Sequence, residues 1–540
     1  MNTLLIGINS KYIHPNMAIR LLKANVFDFS KVDIHEWTIK DSYIDISTYI
    51  MNRQDDLIGF SCYIWNIELI KQILTELKNS SFQGQILLGG PEVSYNYDEY
   101  FTNYGINYII INEGEQAFLM LLKALSTHHL PLDIPNLVTP THKNPAKYIT
   151  NLDSLASPYF DLDYKYQIMY IEASRGCPYH CSYCMASLEK KVRTFNLERV
   201  KDTILQLLNQ GARTFKFLDR TFNLDTERTL DLFQFIIKQA PKGSSFQFEI
   251  TGDLLPLAII DYLNNNAPKG LIRFEIGIQS TNSETNHAIG RDQNTPLLFK
   301  NICALQQVGK IAIHLDLIAG LPYEDLTSFK QTFDEAMALR PLELQLGFLK
   351  FLKGTRIFKE AEIYQYQWDL VAPYEFLSNH VMGHQERAII HTAENACEKY
   401  YNSPFLKQTI HFVLDRIPSA FQFFFELGQY YESKYAWIGY NLDELLARFF
   451  EFIQTQPLLP HEEILFLMKQ DYLKHFSLKP KIWWPRPGRN HYHKITNDLL
   501  STHSFPVSSD DIFRYGLVET YQNHGFIIIY KPNNKQFLVW

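Results

Sequence analysis

At 540 residues the chain is long enough for about three domains, and 46% hydrophobic against 20% charged residues is a globular composition with ample core. Six cysteines in that length exclude a disulfide scaffold and point to a reducing, cytoplasmic setting. A net charge of −7 without a long basic run argues against nucleic acid as the main partner, no run nears the ~18 apolar residues of a membrane span, and the N-terminal MNTLLIGINSKYIHPNM has no signal-peptide character. The 38 Phe and 32 Tyr are read as core-forming.

From residue 1 to about 135, short apolar runs at 3–9, 32–38, 56–63, 85–90 and 107–111 alternate with amphipathic stretches at 17–25, 66–78 and 115–125. Five such units predict an α/β domain, a doubly wound parallel sheet with right-handed crossovers. Ligands on these sheets bind outside the carboxyl ends of the strands, and the unusual residues fall there. Tyr12 and His14 follow the first strand, Ser61 and Tyr63 end the third, Gly89 and Gly90 the fourth, and Glu113 and Gly114 the fifth. Together they form a candidate cofactor rim. The absence of Gly-x-Gly-x-x-Gly argues against a dinucleotide there.

After a linker at 136–164, residues 165–370 repeat a strand–helix unit, with strands expected at 167–173, 214–218, 246–251, 273–278, 312–318 and 343–349. Six units predict a partial TIM-type barrel whose site lies at the C-terminal strand ends. The loop after the first strand reads Cys177-Pro178-Tyr179-His180-Cys181-Ser182-Tyr183-Cys184. Three thiolates on one loop suit a [4Fe–4S] cube with one iron left open. A zinc site using His180 as a fourth ligand and a set of inert buried thiols are the alternatives. Cys62, Cys303 and Cys397 stand alone and read as core thiols. Later strands deliver Asp219 to Asn223, then Thr251-Gly252-Asp253, Gln279-Ser280, Gly320-Leu321-Pro322 and Lys350 to the same rim.

Residues 371–540 change character. Helices are expected at 386–399, 405–416, 442–455 and 461–475, and a β-hairpin at 525–540 around Pro532-Asn533-Asn534. The Trp483-Trp484 stretch with its arginines reads as a packed connector rather than a substrate lid. No catalytic residue is assigned to this mainly helical third.

The cysteine spacing, the Gly277-Ile278-Gln279-Ser280 and Leu317–Pro322 segments and the Gly89-Gly90-Pro91-Glu92 loop resemble those of cobalamin-binding radical S-adenosylmethionine (SAM) enzymes. The resemblance covers about residues 1–370 and suggests a further uncharacterised C-terminal domain. It implies three cofactors: a [4Fe–4S] cluster on Cys177, Cys181 and Cys184, SAM, and cobalamin. Tyr183, Asp219, Asn223, Gln279, Ser280 and Gly320 would lie along SAM, although the usual Gly-Gly-Glu is absent after the second strand. Tyr12, His14, Ser61, Tyr63, Gly89, Gly90, Glu113 and Gly114 would lie along cobalamin. No Asp-x-His-x-x-Gly follows the first strand, so the cobalt ligand known from mutases is not expected.

The implied activity is reductive cleavage of SAM to a 5′-deoxyadenosyl radical, used to methylate an unactivated carbon of a small-molecule or lipid-like substrate. A one-electron donor such as a flavodoxin or ferredoxin is implied as partner. Radical cyclisation or rearrangement without methyl transfer is the alternative, and a cofactor-binding redox or cobalamin sensor a more distant one. RNA methylthiolation is disfavoured, because the N-terminal region holds only Cys62 for the second cluster that chemistry needs.

Overall fold

The computed structural model describes the chain except residues 128–132, 504, 532, 533 and 540. It forms two compact units, Met1–Glu324 with Gly347–Gly383, and Asp325–Leu346 with His384–Trp540. The expected boundary between the two N-terminal domains therefore falls inside the first unit.

In that unit β1 Thr3–Asn9, β2 Val32–Thr38, β3 Leu57–Ser61, β4 Gln85–Gly89 and β5 Tyr108–Ile110 pair in parallel in the order β2-β1-β3-β4-β5. Alternation along β1 shows why helices cover both faces. Leu4, Ile6 and Ile8 pack with Ile46, Ile50, Ile67 and Ile70 on one side, while Leu5 packs with Ile19, Phe118, Leu121 and Leu122 on the other. The chain doubles back at β1, which pairs with both β2 and β3, so the crevice opens beyond the ends of β1 and β3. Within the expected linker, β6 Leu137–Val138 adds an antiparallel edge to β5. Two residues of strand inside a polar stretch leave no periodicity to read.

The barrel strands are β7 Met169–Ile171, β10 Thr214–Phe217, β11 Ser245–Ile250, β12 Ile272–Gln279, β13 Ala312–Ala319 and β14 Glu343–Phe348, neighbours in that order. Between β7 and β10, a short antiparallel ladder of β8 Ser174–Arg175 with β9 Arg193–Thr194 brackets the cysteine loop. The outward faces bury the phenylalanines. Phe215 stacks on Phe246 at 4.4 Å, Phe217 on Phe248 at 4.6 Å, and Phe233 meets Phe248 edge-on at 5.2 Å. Such pairs each add about 0.5–1.5 kcal/mol beyond the area they bury. A two-stranded ribbon, β15 Gln367–Trp368 with β16 Phe376–Ser378, ends the unit.

The second unit is mainly helical, with helices His384–Ala396, Lys407–Leu414, Ala420–Lys434, Leu442–Gln454 and His461–His475 around Phe421, Phe424, Phe449 and Met468. The predicted hairpin supplies two strands of a three-stranded antiparallel sheet of β17 Gly516–Tyr521, β18 His524–Lys531 and β19 Asn534–Val539. Its expected turn at Pro532-Asn533 lies outside the described residues, as does Trp540. Trp484 is buried with its indole N–H donating to Glu519 Oε1 at 2.9 Å, and Trp483 meets it edge-on at 5.2 Å. The Trp pair is packing, as the composition suggests.

Candidate active site

The rim of the N-terminal sheet is locked by its own side chains. Asn16 caps the first helix through Oδ1, while its Nδ2 donates to Ser61 Oγ at 2.8 Å and to Asn9 Oδ1 at 3.3 Å. Tyr63 stacks on Trp65 at 4.3 Å, making a flat aromatic plate at the end of β3. Gly90 has φ of +115°, and a Cβ there would run into the Cys62 backbone, so this glycine lets two strand ends approach closely. At Gly89 a Cβ would meet only the Ile110 carbonyl oxygen at 3.6 Å.

Beyond this rim lies a cavity of about 1330 Å³, walled on one side by the strand ends of the first domain and on the other by the barrel. It exceeds the usual 300–1,000 Å³ of small-molecule sites and suits a cofactor larger than a nucleotide. His14, Ser61, Tyr63, Gly89, Gly90, Glu113 and Gly114 all line it. Tyr12 is not brought to its wall. It is 61% exposed and donates to Asp163 Oδ2 at 3.3 Å. His14 Nδ1 sits 2.6 Å from the Tyr170 hydroxyl across the domain boundary, and burial holds its pKa below the ordinary histidine value.

Glu113 has a different employment from the one expected. Its carboxylate accepts from Arg175 Nη1 at 3.1 Å, from Arg193 Nη2 at 2.8 Å and Nη1 at 3.0 Å, and from the Ile149 amide at 2.6 Å. Burial alone would raise its pKa, but these cations and hydrogen bonds hold it below the usual carboxylate range. Arg175 also pairs with Glu115 at 2.7 Å and Glu172 at 2.9 Å, and Arg193 with Glu189. Both arginines belong to the ladder that brackets the cysteine loop. The first domain thus grips the loop by its two ends.

Within the loop Cys177 and Cys181 are buried, Cys184 half-buried, and none is in a disulfide. Gly176 has φ of +91°, and a Cβ there would strike the Lys191 carbonyl, so the turn into Cys177 needs glycine. The loop is pinned by Cys177 N–H to Glu189 O at 3.1 Å and Ser182 N–H to Ile289 O at 2.7 Å. His180 is exposed. Among the described residues no three His, Cys, Asp or Glu side chains close on one point. Thiols that each take a separate iron of a cube do not need to, so this donor set fits a [4Fe–4S] cluster better than a single zinc ion. Cys62 and Cys397 are buried, as expected. Cys303 is exposed: on the helix Thr295–Gln306 the inward stripe is Leu298, Asn301, Ile302 and Leu305, which turns position 303 outward.

Four of the residues expected along SAM make contacts within the protein. Asp219 accepts from the Ala173 amide at 2.9 Å and the Ser174 hydroxyl at 2.6 Å, and burial pushes its carboxyl up to about 7. Asn223 holds the backbone of Thr251 with both ends of its amide, at 3.0 and 2.9 Å. Ser280 donates to Glu324 at 2.5 Å, and Gly320 lies under the Phe376 ring. A polar residue at a strand end is visible in sequence, but the neighbouring backbone group that needs it is not. Tyr183 and Gln279 do not line the cavity. Gln279, at φ of +65° where β12 slips register against β13, carries a buried Oε1 with no hydrogen-bond partner. An orphaned buried acceptor of this kind fits a bound donor such as SAM's adenine or amino group.

Two sets of site residues escaped the sequence reading. Arg291 approaches Tyr183 Oη at 3.4 Å, donates to the Gly277 carbonyl and reaches Cys181. The second set is the inner face of the barrel: Lys216, Gln247 and Glu249, Arg273 and Glu275, His314 and Asp316. These polar and charged residues alternate with buried Phe, Ile and Leu along β10 to β13, so period-two reading of the strands carries the signal.

Comparison with known proteins agrees with this geometry. The B12 binding domain description matches residues 3–122, and that of the radical SAM superfamily matches residues 171–336. This pair of domains places the chain among the cobalamin-binding radical SAM enzymes. Residues 362–509 match a protein of unknown function, DUF4080. The radical SAM enzyme is 24% identical over 369 residues to the uncharacterised methyltransferase PH0819 of Pyrococcus horikoshii, covering 64% of this chain and 78% of that one. It is 25% identical over 306 residues to the cobalamin-dependent radical SAM methyltransferase TokK of Streptomyces tokunonensis, covering 51% of this chain and 44% of TokK. The solved structure of the cobalamin-dependent radical enzyme OxsB, with aqua-cobalamin and SAM bound, superposes with a TM-score of 0.60 at 15% identity, over 94% of this chain and 82% of OxsB. The two N-terminal domains imply a [4Fe–4S] cluster, SAM and cobalamin as cofactors. No helix among the described residues is long and apolar enough to cross a membrane.

Proposed function

We propose that this chain is a methyltransferase that installs a methyl group on an unactivated carbon of a small molecule. When bound, the cluster would supply the electron for reductive cleavage of one SAM, and cobalamin would supply a methyl group taken from a second SAM. The observation that carries the reading is a cavity of about 1330 Å³ whose walls are the strand ends of the first domain and the barrel strands beside the cysteine loop.

The chain's residues hold and orient. Cys177, Cys181 and Cys184 would hold the cluster, with Gly176 and the Arg175–Glu113 pair fixing the loop's entry. Tyr183 and Gln279 would receive SAM, with Arg291 backing Tyr183. His14, Ser61, Tyr63, Gly89 and Gly114 would lie along cobalamin. The apolar part of the wall, including Leu5, Leu87 and Ile110, excludes water from reactive species. A flavodoxin- or ferredoxin-type protein would deliver the electron.

The test is anaerobic turnover of reduced, reconstituted protein with methyl-labelled SAM. Release of 5′-deoxyadenosine together with label in a C-methylated product is expected. Release of 5′-deoxyadenosine without transferred label points to rearrangement instead. No 5′-deoxyadenosine under any reductant refutes the radical reading.

A further inference from the structure

The second unit carries a charged face that the enzymatic reading does not use. Between Asp471 and Asp498 the sequence holds Lys474, Lys479, Lys481, Arg486, Arg489 and Lys494 without one acid, in a chain whose net charge is −7. All six are exposed. None forms an ion pair among the described residues, although the neighbouring Lys469 and Lys531 do, with Glu519 at 2.9 Å and Asp511 at 2.6 Å.

Local packing gathers these charges instead of dispersing them. Lys479 Nζ and the Tyr492 hydroxyl both donate to the Gly516 carbonyl, at 2.8 and 3.4 Å, which folds the chain between them back on itself. The Tyr472 hydroxyl lies 2.8 Å from the Lys481 carbonyl and 2.6 Å from Asp443, an acid that pairs with none of the six. Lys479 is crowded as a result: burial and the charge of Arg486 hold its pKa below the ordinary lysine value. Like charges held this close repel one another in the free chain, and an anionic partner relieves that repulsion.

The apolar groups set among the cations say which partner. Leu478 is 71% exposed between Lys474 and Lys479, and exposed Pro485 and Pro487 flank Arg486. The tryptophans are withdrawn: Trp484 is buried and Trp483 half-buried against it. A polynucleotide surface offers exposed aromatic faces on which bases stack, and these rings are not available for that. An aliphatic side chain standing out among unpaired lysines and arginines is the pattern of a membrane-surface contact. We propose that this face of the second unit docks on an anionic lipid bilayer, with the six cations at the headgroup phosphates and Leu478 in the acyl layer beneath them.

Co-sedimentation of the full chain with vesicles tests this. The chain is expected to pellet with vesicles of phosphatidylglycerol and phosphatidylcholine in equal parts, to stay in solution with phosphatidylcholine alone, and to be released by high salt. Each cation near an anionic surface tightens binding about fivefold, so the triple variant Lys481→Glu, Arg486→Glu, Arg489→Glu should bind about a hundredfold more weakly or worse. None of these three side chains makes a hydrogen bond or ion pair among the described residues, so its urea midpoint should match the parent's; if it does not, glutamine at the same three positions carries the test. Leu478→Ser should weaken vesicle binding about tenfold. The proposal is overturned if neutral vesicles retain the chain equally well, or if the triple variant or Leu478→Ser pellets like the parent. It is also overturned if glycerol 3-phosphate at matched phosphate displaces the chain, which makes the face a site for free phosphate. Preference for a single-stranded oligonucleotide or for polyglutamate over the vesicles at matched charge likewise overturns it, in favour of a nucleic acid or an acidic protein.

Discussion

Replacing Glu113 by alanine should loosen the cysteine loop from a distance. The carboxylate is 9% exposed and holds two guanidinium groups and one backbone amide. Removing one partner of a buried ion pair costs about 3–5 kcal/mol, and an amide left without an acceptor costs about 1–3 kcal/mol. The two do not simply add, because Arg175 keeps Glu115 and Glu172, and Arg193 keeps Glu189. A loss of about 3–5 kcal/mol is expected for Glu113→Ala, and about 2–3 kcal/mol for Glu113→Gln, which retains an acceptor for Ile149. Urea denaturation of the reconstituted protein measures both, and iron per chain should fall with them. The contribution also has a pH signature. The folded-state pKa lies below the unfolded one, so the stabilisation is full above the ordinary carboxylate range and is lost as pH falls through the folded value. If both variants unfold within about 0.5 kcal/mol of the parent, the span expected of inert surface changes, the network does not hold the loop.

Alanine at any one of Cys177, Cys181 or Cys184 should abolish the cluster's visible absorbance and its reduced-state EPR signal, whereas Cys303→Ser should change neither, because Cys303 is exposed and far along the chain. Gly176→Ala must adopt φ of +91° and collide with Lys191, so iron content after reconstitution should drop severalfold with a stability loss of about 1–3 kcal/mol. Asp219 holds a proton in the fold that the unfolded chain releases, so its share of stability falls as pH rises from 3.8 to about 7; urea midpoints should show Asp219→Asn flattening that slope. Tyr170→Phe removes the 2.6 Å partner of His14 and should weaken binding of added hydroxocobalamin, followed by its visible spectrum, by severalfold without altering cluster content.

Much of this architecture was legible because it rests on short-range pattern. Runs such as TLLIGIN and FQFEI fix strand, face and order, and the cysteine spacing fixes the loop. Side-chain roles were less legible. Asp219, Asn223 and Ser280 look like ligand contacts in sequence, yet each completes a hydrogen bond with a residue 28 to 46 positions away. Glu113 looked like part of a ligand rim because its arginine partners lie 62 and 80 residues on. The third strand of the terminal sheet was missed because GLVETY alternates only weakly and follows a short helix.

The arginine–glutamate lattice has a consequence for how such enzymes can be rearranged. The pieces that recur as separate modules are not electrically independent here. A barrel expressed without residues 1–122 would leave Arg175 and Arg193 with fewer counter-charges, and a foreign first domain would need acids at the places of Glu113 and Glu115. Exchange of the N-terminal module between relatives is thus restricted by two side chains at the seam, however well the folds agree.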